Sequence, residues 1–86
     1  MATHPQALKR HRQSIKRTER NNYYVSTMRS YLKQAREDLD SGDKGAATES
    51  VGRVSAYLDR VAGRGVIHSN RAARLKSRLA KHLAAL

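Results

Sequence analysis

The chain has 86 residues, with no Cys, Phe or Trp, and 18 Lys and Arg stand against 7 Asp and Glu for a formal net charge of +11. Disulfides, thiol catalysis and Cys-based zinc sites are thereby excluded, and the length allows one domain at most. A core restricted to Leu, Val, Ile, Ala, Met and four Tyr can hold a few helices together but is a poor shell for a deep catalytic pocket.

The apolar spacing is helical throughout. Pro5 suits the first turn of a helix, where its missing N–H costs nothing, and a helix is predicted over 5–40. Its second half carries Val25, Met28, Leu32, Ala35 and Leu39 at steps of 3 and 4. In the first half, Leu8 and Ile15 continue that period only thinly, and Thr18 and Asn22 fall at the next core positions. Residues 5–22 are therefore expected to project as an overhang of about 25 Å. Such a basic segment frays alone and orders fully against a partner.

Asp40-Ser41-Gly42-Asp43 joins the first helix to the second. Gly42 suits the left-handed cap, and Asp43 suits the N-cap of a helix over 44–63. That helix carries Ala47, Val51, Val54, Leu58 and Val61. Gly63-Arg64-Gly65 ends it. A third helix is predicted over 67–85, with Ser69 or Asn70 placed to cap it and Ala72, Leu75, Leu79, His82/Leu83 and Leu86 as its stripe. Short connections favour antiparallel neighbours. The expected fold is an all-α, three-helix antiparallel bundle, a single domain over 1–86, with a long first helix.

The charge is divided unevenly. Residues 1–36 have a net charge of +8, residues 37–60 of −3, and residues 61–86 of +6. A strongly positive balance opposes compaction unless a polyanion is present and is the footprint of nucleic-acid binding. In the overhang, Lys9, Lys16 and Arg20 share a face with Arg12 nearby, and Arg10 and Arg17 form a second row. An arm of this kind suits insertion between phosphate backbones. In the third helix, Arg71, Arg74, Arg78 and Lys81 run one residue ahead of the apolar stripe, so the helix can pack inward and present guanidinium forks sideways. Ser69, Asn70 and Ser77 add neutral donors near that side, and His68 lies in the turn before it. A shorter row, Arg29, Lys33 and Arg36, has Glu37 and Asp38 close enough for intrahelical pairing. Tyr24 and Tyr31 edge the core stripe, Tyr57 adjoins Leu58, and Tyr23 points elsewhere.

Other chemistries find no support. The four His, at 4, 11, 68 and 82, have no metal-ligand spacing. GRGVIHSN lacks the Walker pattern and follows no strand. No general base comes with a second catalytic group, so no enzyme, cofactor or small-molecule substrate is expected. No apolar run approaches the roughly 20 residues of a membrane span, and no signal-type segment opens the chain. The reading is a soluble, intracellular protein. A membrane-surface helix would need a large exposed apolar face, which the bundle would consume. Composition alone does not separate an RNA scaffold from an architectural DNA-binding protein or an RNA chaperone.

Residues 65–79, GVIHSNRAARLKSRL, resemble the C-terminal signature of protein twenty of the bacterial small ribosomal subunit, which typically reads K-G-[LI]-I-H-K-N-K-A-A-R-x-K-S-R-L. The Ser41-Gly42-Asp43-Lys44 turn is similar to that family's GDK turn, and the basic opening is similar too. Ser69 replaces a common Lys, Leu75 a common His, and Tyr23-Tyr24 is unusual for the family. The resemblance implies a three-helix bundle that binds 16S ribosomal RNA directly, in the 5′ domain and at the long penultimate helix. It implies RNA contacts from the basic N-terminal helix and from His68 to Arg78, in the cytoplasmic ribosome. Few or no protein contacts and no homo-oligomer are expected.

Overall fold

A computed structural model describes residues 4–86; residues 1–3 of the expected domain lie outside the described residues. Three helices and no strand are present among them: α1 (His4–Ser41), α2 (Lys44–Gly63) and α3 (Ser69–Ala84). α1 spans 38 residues, about 57 Å at 1.5 Å per residue, and accounts for most of the 63 Å long axis. The radius of gyration, 17.6 Å, compares with about 12 Å for a compact chain of this length. The excess is the projecting half of α1, in which residues 5–20 are all exposed. That half is helical in continuity with the packed half. Helix propagates far more easily than it nucleates, and the bundle supplies the nucleus.

The hairpin between α1 and α2 is made by local chemistry. Gly42 adopts φ +76, the left-handed conformation open to glycine, and its N–H reaches the Leu39 carbonyl at 3.2 Å. The Asp38 carbonyl is taken by the Ser41 hydroxyl at 2.8 Å. Asp43 then caps α2, its Oδ1 accepting from the Ala46 N–H at 3.2 Å. At the other end of α2 the Val66 N–H bonds the Val61 carbonyl and the Gly65 N–H the Ala62 carbonyl, at 2.9 and 3.0 Å, with Gly65 at φ +76. This is the paired pattern of a Schellman motif.

α1 and α2 pack antiparallel in a repeating register. Asp38 meets Ser50, Tyr31 meets Tyr57 edge-to-face at 5.1 Å, and Arg64 lies over the Tyr24 ring at 5.2 Å. Seven residues back along α1 is seven residues on along α2 at each step, the period of a helix pair with a common seam. Beside these rungs lies the core of Met28, Leu32, Ala35, Leu39, Ala47, Val51, Val54, Leu58, Val61, Ile67, Ala72 and Leu79. Val25, expected in the core, is half-buried; it lies near the end of the seam, where α2 stops at Gly63. Ser50 is buried at a position the apolar pattern skips, with its Oγ within hydrogen-bond reach of Asp38 Oδ2 and the Ala46 carbonyl.

α3 lies on α2 and touches α1 only slightly. One neighbour covers a narrow stripe. Ala72 and Leu79 are buried, Leu75 and Leu83 are half-buried, and His82 and Leu86, expected on the stripe, are exposed. α3 also begins at Ser69, two residues later than the pattern predicts, and its cap is neither Ser69 nor Asn70. His68 takes that place, its Nδ1 accepting from the Asn70 N–H at 3.0 Å. Ile67 before the cap and Ala72 four residues into α3 are buried in one cluster, at the positions of a hydrophobic staple.

Candidate nucleic-acid interface

The overhang presents its bases as one broad arc. Gln13, Lys16, Arg17 and Arg20 line a single open groove, so the two expected rows merge there. Lys9, Arg10 and Arg12 are exposed on the preceding turns. Leu8 and Ile15 do not continue the core stripe. Stepping by seven from them leads to Asn22, Arg29 and Arg36, all exposed, and Leu8 and Ile15 are themselves 47% and 45% exposed. Stepping back from Met28 leads to Asn21, which is half-buried, and not to Asn22.

On α3, Arg71, Arg74 and Arg78 line a second groove with Leu75 at its edge. Ser69, Asn70, Ser77 and Lys81 are exposed on the same short helix. His68 is exposed too. Because its Nδ1 accepts a hydrogen bond, its ring proton sits on Nε2, leaving that N–H available as a donor. The Tyr24–Arg64 rung places the turn after α2 beside residue 24. The start of α3 therefore lies at the end of the bundle from which the overhang departs.

Neither basic groove is neutralised. The one ion pair among the described residues joins Lys76 to Asp59 at 2.6 Å. The anticipated pairing of Arg29, Lys33 or Arg36 with Glu37 or Asp38 does not occur. The Asp38 carboxylate faces α2 and takes the Gln34 Nε2–H at 3.1 Å and the Ser50 hydroxyl. All three bases of that row are exposed. Arg64 stood in neither predicted row, yet it shares a cleft with Arg20, Asn21, Tyr24 and Val66. The seven-residue steps 24-31-38 and 50-57-64 are the sequence signal that connects it to α1. No helix of the described residues is long and apolar enough to cross a membrane.

Known proteins share this sequence along its length. Residues 2–84 match the family described as Ribosomal protein S20. The small ribosomal subunit protein bS20 of Bordetella petrii is 44% identical over 86 residues, covering 100% of this chain and 99% of that protein. The proteins of the same name from Geotalea daltonii and Coprothermobacter proteolyticus are each 44% identical over 81 residues, covering 94% of this chain and 93% and 92% of theirs. With a family match over residues 2–84 and relatives 44% identical over nearly their whole length, this chain belongs to the ribosomal protein S20 family.

Proposed function

We propose that this chain is a structural constituent of the bacterial small ribosomal subunit that binds 16S ribosomal RNA directly, at the 5′ domain and the long penultimate helix, and stabilises its folding and assembly. The observation that carries this reading is the pair of exposed, unneutralised guanidinium grooves, one on the overhang and one on α3. Lys9, Arg10, Arg12, Lys16, Arg17 and Arg20 contact phosphates from the arm. Arg71, Arg74, Arg78 and Lys81 do so from α3, with His68, Ser69, Asn70 and Ser77 as neutral donors. Each neutralised phosphate releases condensed counterions, which makes binding strong at low salt. The chain acts as a scaffold in the cytoplasmic ribosome, without catalysis, cofactor, membrane contact or self-association.

Cosedimentation with small subunits in high-salt gradients tests the assignment, and recovery with the nucleoid instead would overturn it. Chemical footprinting of reconstituted 16S ribosomal RNA, with and without the protein, locates the contacts. Protection in the 5′ domain and the penultimate helix is the expected result.

A further inference from the structure

The last rung between α1 and α2 opens onto a third cleft, which shares only Arg20 with the overhang groove and no residue with the α3 groove. α2 ends at Gly63 while α1 continues into the overhang, so the α1 face beyond Tyr24 loses its cover. Arg20, Asn21 and Tyr24 of α1, with Arg64 and Val66 of the turn, line the notch left there, about 140 Å³ in volume. Pockets for whole ligands begin at about 300 Å³, so the notch fits one group of a larger partner and not a nucleotide or cofactor.

Its lining is made for an anion. Two guanidiniums and an amide face it, and no carboxylate does. The Arg64 guanidinium carbon stands 5.2 Å from the Tyr24 ring centroid, inside cation–π range. Tyr24 is in turn met edge-on by Tyr23 at 5.9 Å. A cation–π contact engages none of the guanidinium's N–H groups in a hydrogen bond, and its planar fork is matched to phosphate oxygens. A side chain held this way loses less rotamer freedom on binding. Arg20, one turn before Tyr24 on the same side of α1, supplies a second fork from the overhang.

We infer that one RNA backbone phosphate is gripped between Arg20 and Arg64, with Tyr24 orienting Arg64. The inference rests on the RNA-binding reading above. The two guanidiniums come from different elements, so this phosphate bridges them and couples docking of the overhang to docking of the start of α3.

The test uses the full chain and a 16S ribosomal RNA transcript over a salt series. Arg64→Gln weakens binding about tenfold, as for loss of a charge-assisted contact. Helicity by circular dichroism stays unchanged, because residue 64 caps α2 through its backbone N–H. Tyr24→Leu weakens binding several-fold with no change in charge. Arg64→Lys recovers part of the affinity; full recovery would overturn the role of the planar fork. The double variant R20Q/R64Q loses less than the product of the single losses, and the slope of log K against log salt falls by about one. A fall of about two would mean separate phosphates and overturn the shared grip. In a parallel arm, millimolar inorganic phosphate is followed by the Arg64 side-chain Nε–H resonance. Free phosphate saturating the cleft while RNA remains bound would assign it to a free anion and overturn the inference. Arg71→Ala weakening binding while Arg64→Gln leaves affinity and slope intact would remove the grip and leave the RNA reading standing. A wild-type chain without affinity for the transcript would remove both.

Discussion

The two halves of α1 share one helix and one set of faces but are built for different partners. Stepping by seven, Asp38, Tyr31 and Tyr24 continue into Arg17 and Arg10. The core columns through Leu39, Leu32 and Val25, and through Ala35 and Met28, continue into Thr18, His11, Asn21 and Ser14. The face that α2 covers in the bundle thus turns polar and basic where α2 is absent. A fully buried Met, Leu or Val contributes about 1.5–3 kcal/mol, and residues 5–20, all exposed, contribute none of this. One helix face thus changes character with what covers it: apolar side chains where another helix sits, guanidinium where phosphate is proposed to sit.

Removing residues 1–20 is the harshest test of that division. It should weaken binding to 16S ribosomal RNA by more than about a hundredfold at low salt and lower the salt slope by about five, with six bases lost. The denaturation midpoint of the remaining bundle should barely move, and collapse of its helicity would show the halves to be one folding unit. Core truncation comes next. Leu58→Ala, at a fully buried position, should cost about 2–5 kcal/mol of stability, whereas Ile15→Ala in the overhang should stay within about 0.5 kcal/mol. Urea denaturation reads both, and equal losses would erase the distinction between the halves.

Smaller effects sharpen it. Arg71→Ala or Arg74→Ala should weaken RNA binding by about 1 kcal/mol or more and flatten its salt dependence, while leaving thermal stability unchanged. Gly65→Ala should cost roughly 1–2 kcal/mol of stability, because φ +76 is strained for any side chain. The smallest change belongs to the lone surface pair. Lys76→Ala should lower stability by less than about 1 kcal/mol, in keeping with side chains 36% and 62% exposed on its two sides.

Local rules made much of this molecule readable from its residues. The helical period placed three helices, Gly42 and Asp43 announced the hairpin, and Gly63-Arg64-Gly65 announced the second turn. The α2 stripe from Ala47 to Val61 is buried as its spacing predicts. The basic rows were equally visible, since charges at helical spacing need no tertiary information to share a face. What the bases bind remains the proposal above, which the resemblance in residues 65–79 motivated and the family membership supports.

What sequence alone determined, then, is everything governed by interactions a few residues apart: helix, turn, Asp43 cap and the faces on which charge collects. Only the tertiary structure decided which faces meet and where each ends. It left Val25 only half-buried at the end of the seam, and exposed His82 because α3 has one main neighbour. It buried Ser50 against Asp38, and brought Arg64 across to Tyr24. His68 as the cap belongs with these, since the buried Ile67 beside it sets where α3 begins. The physical reason is common to all of them. A residue's burial depends on the register between two helices, and that register is a property of both surfaces together, which no stripe read on one helix contains.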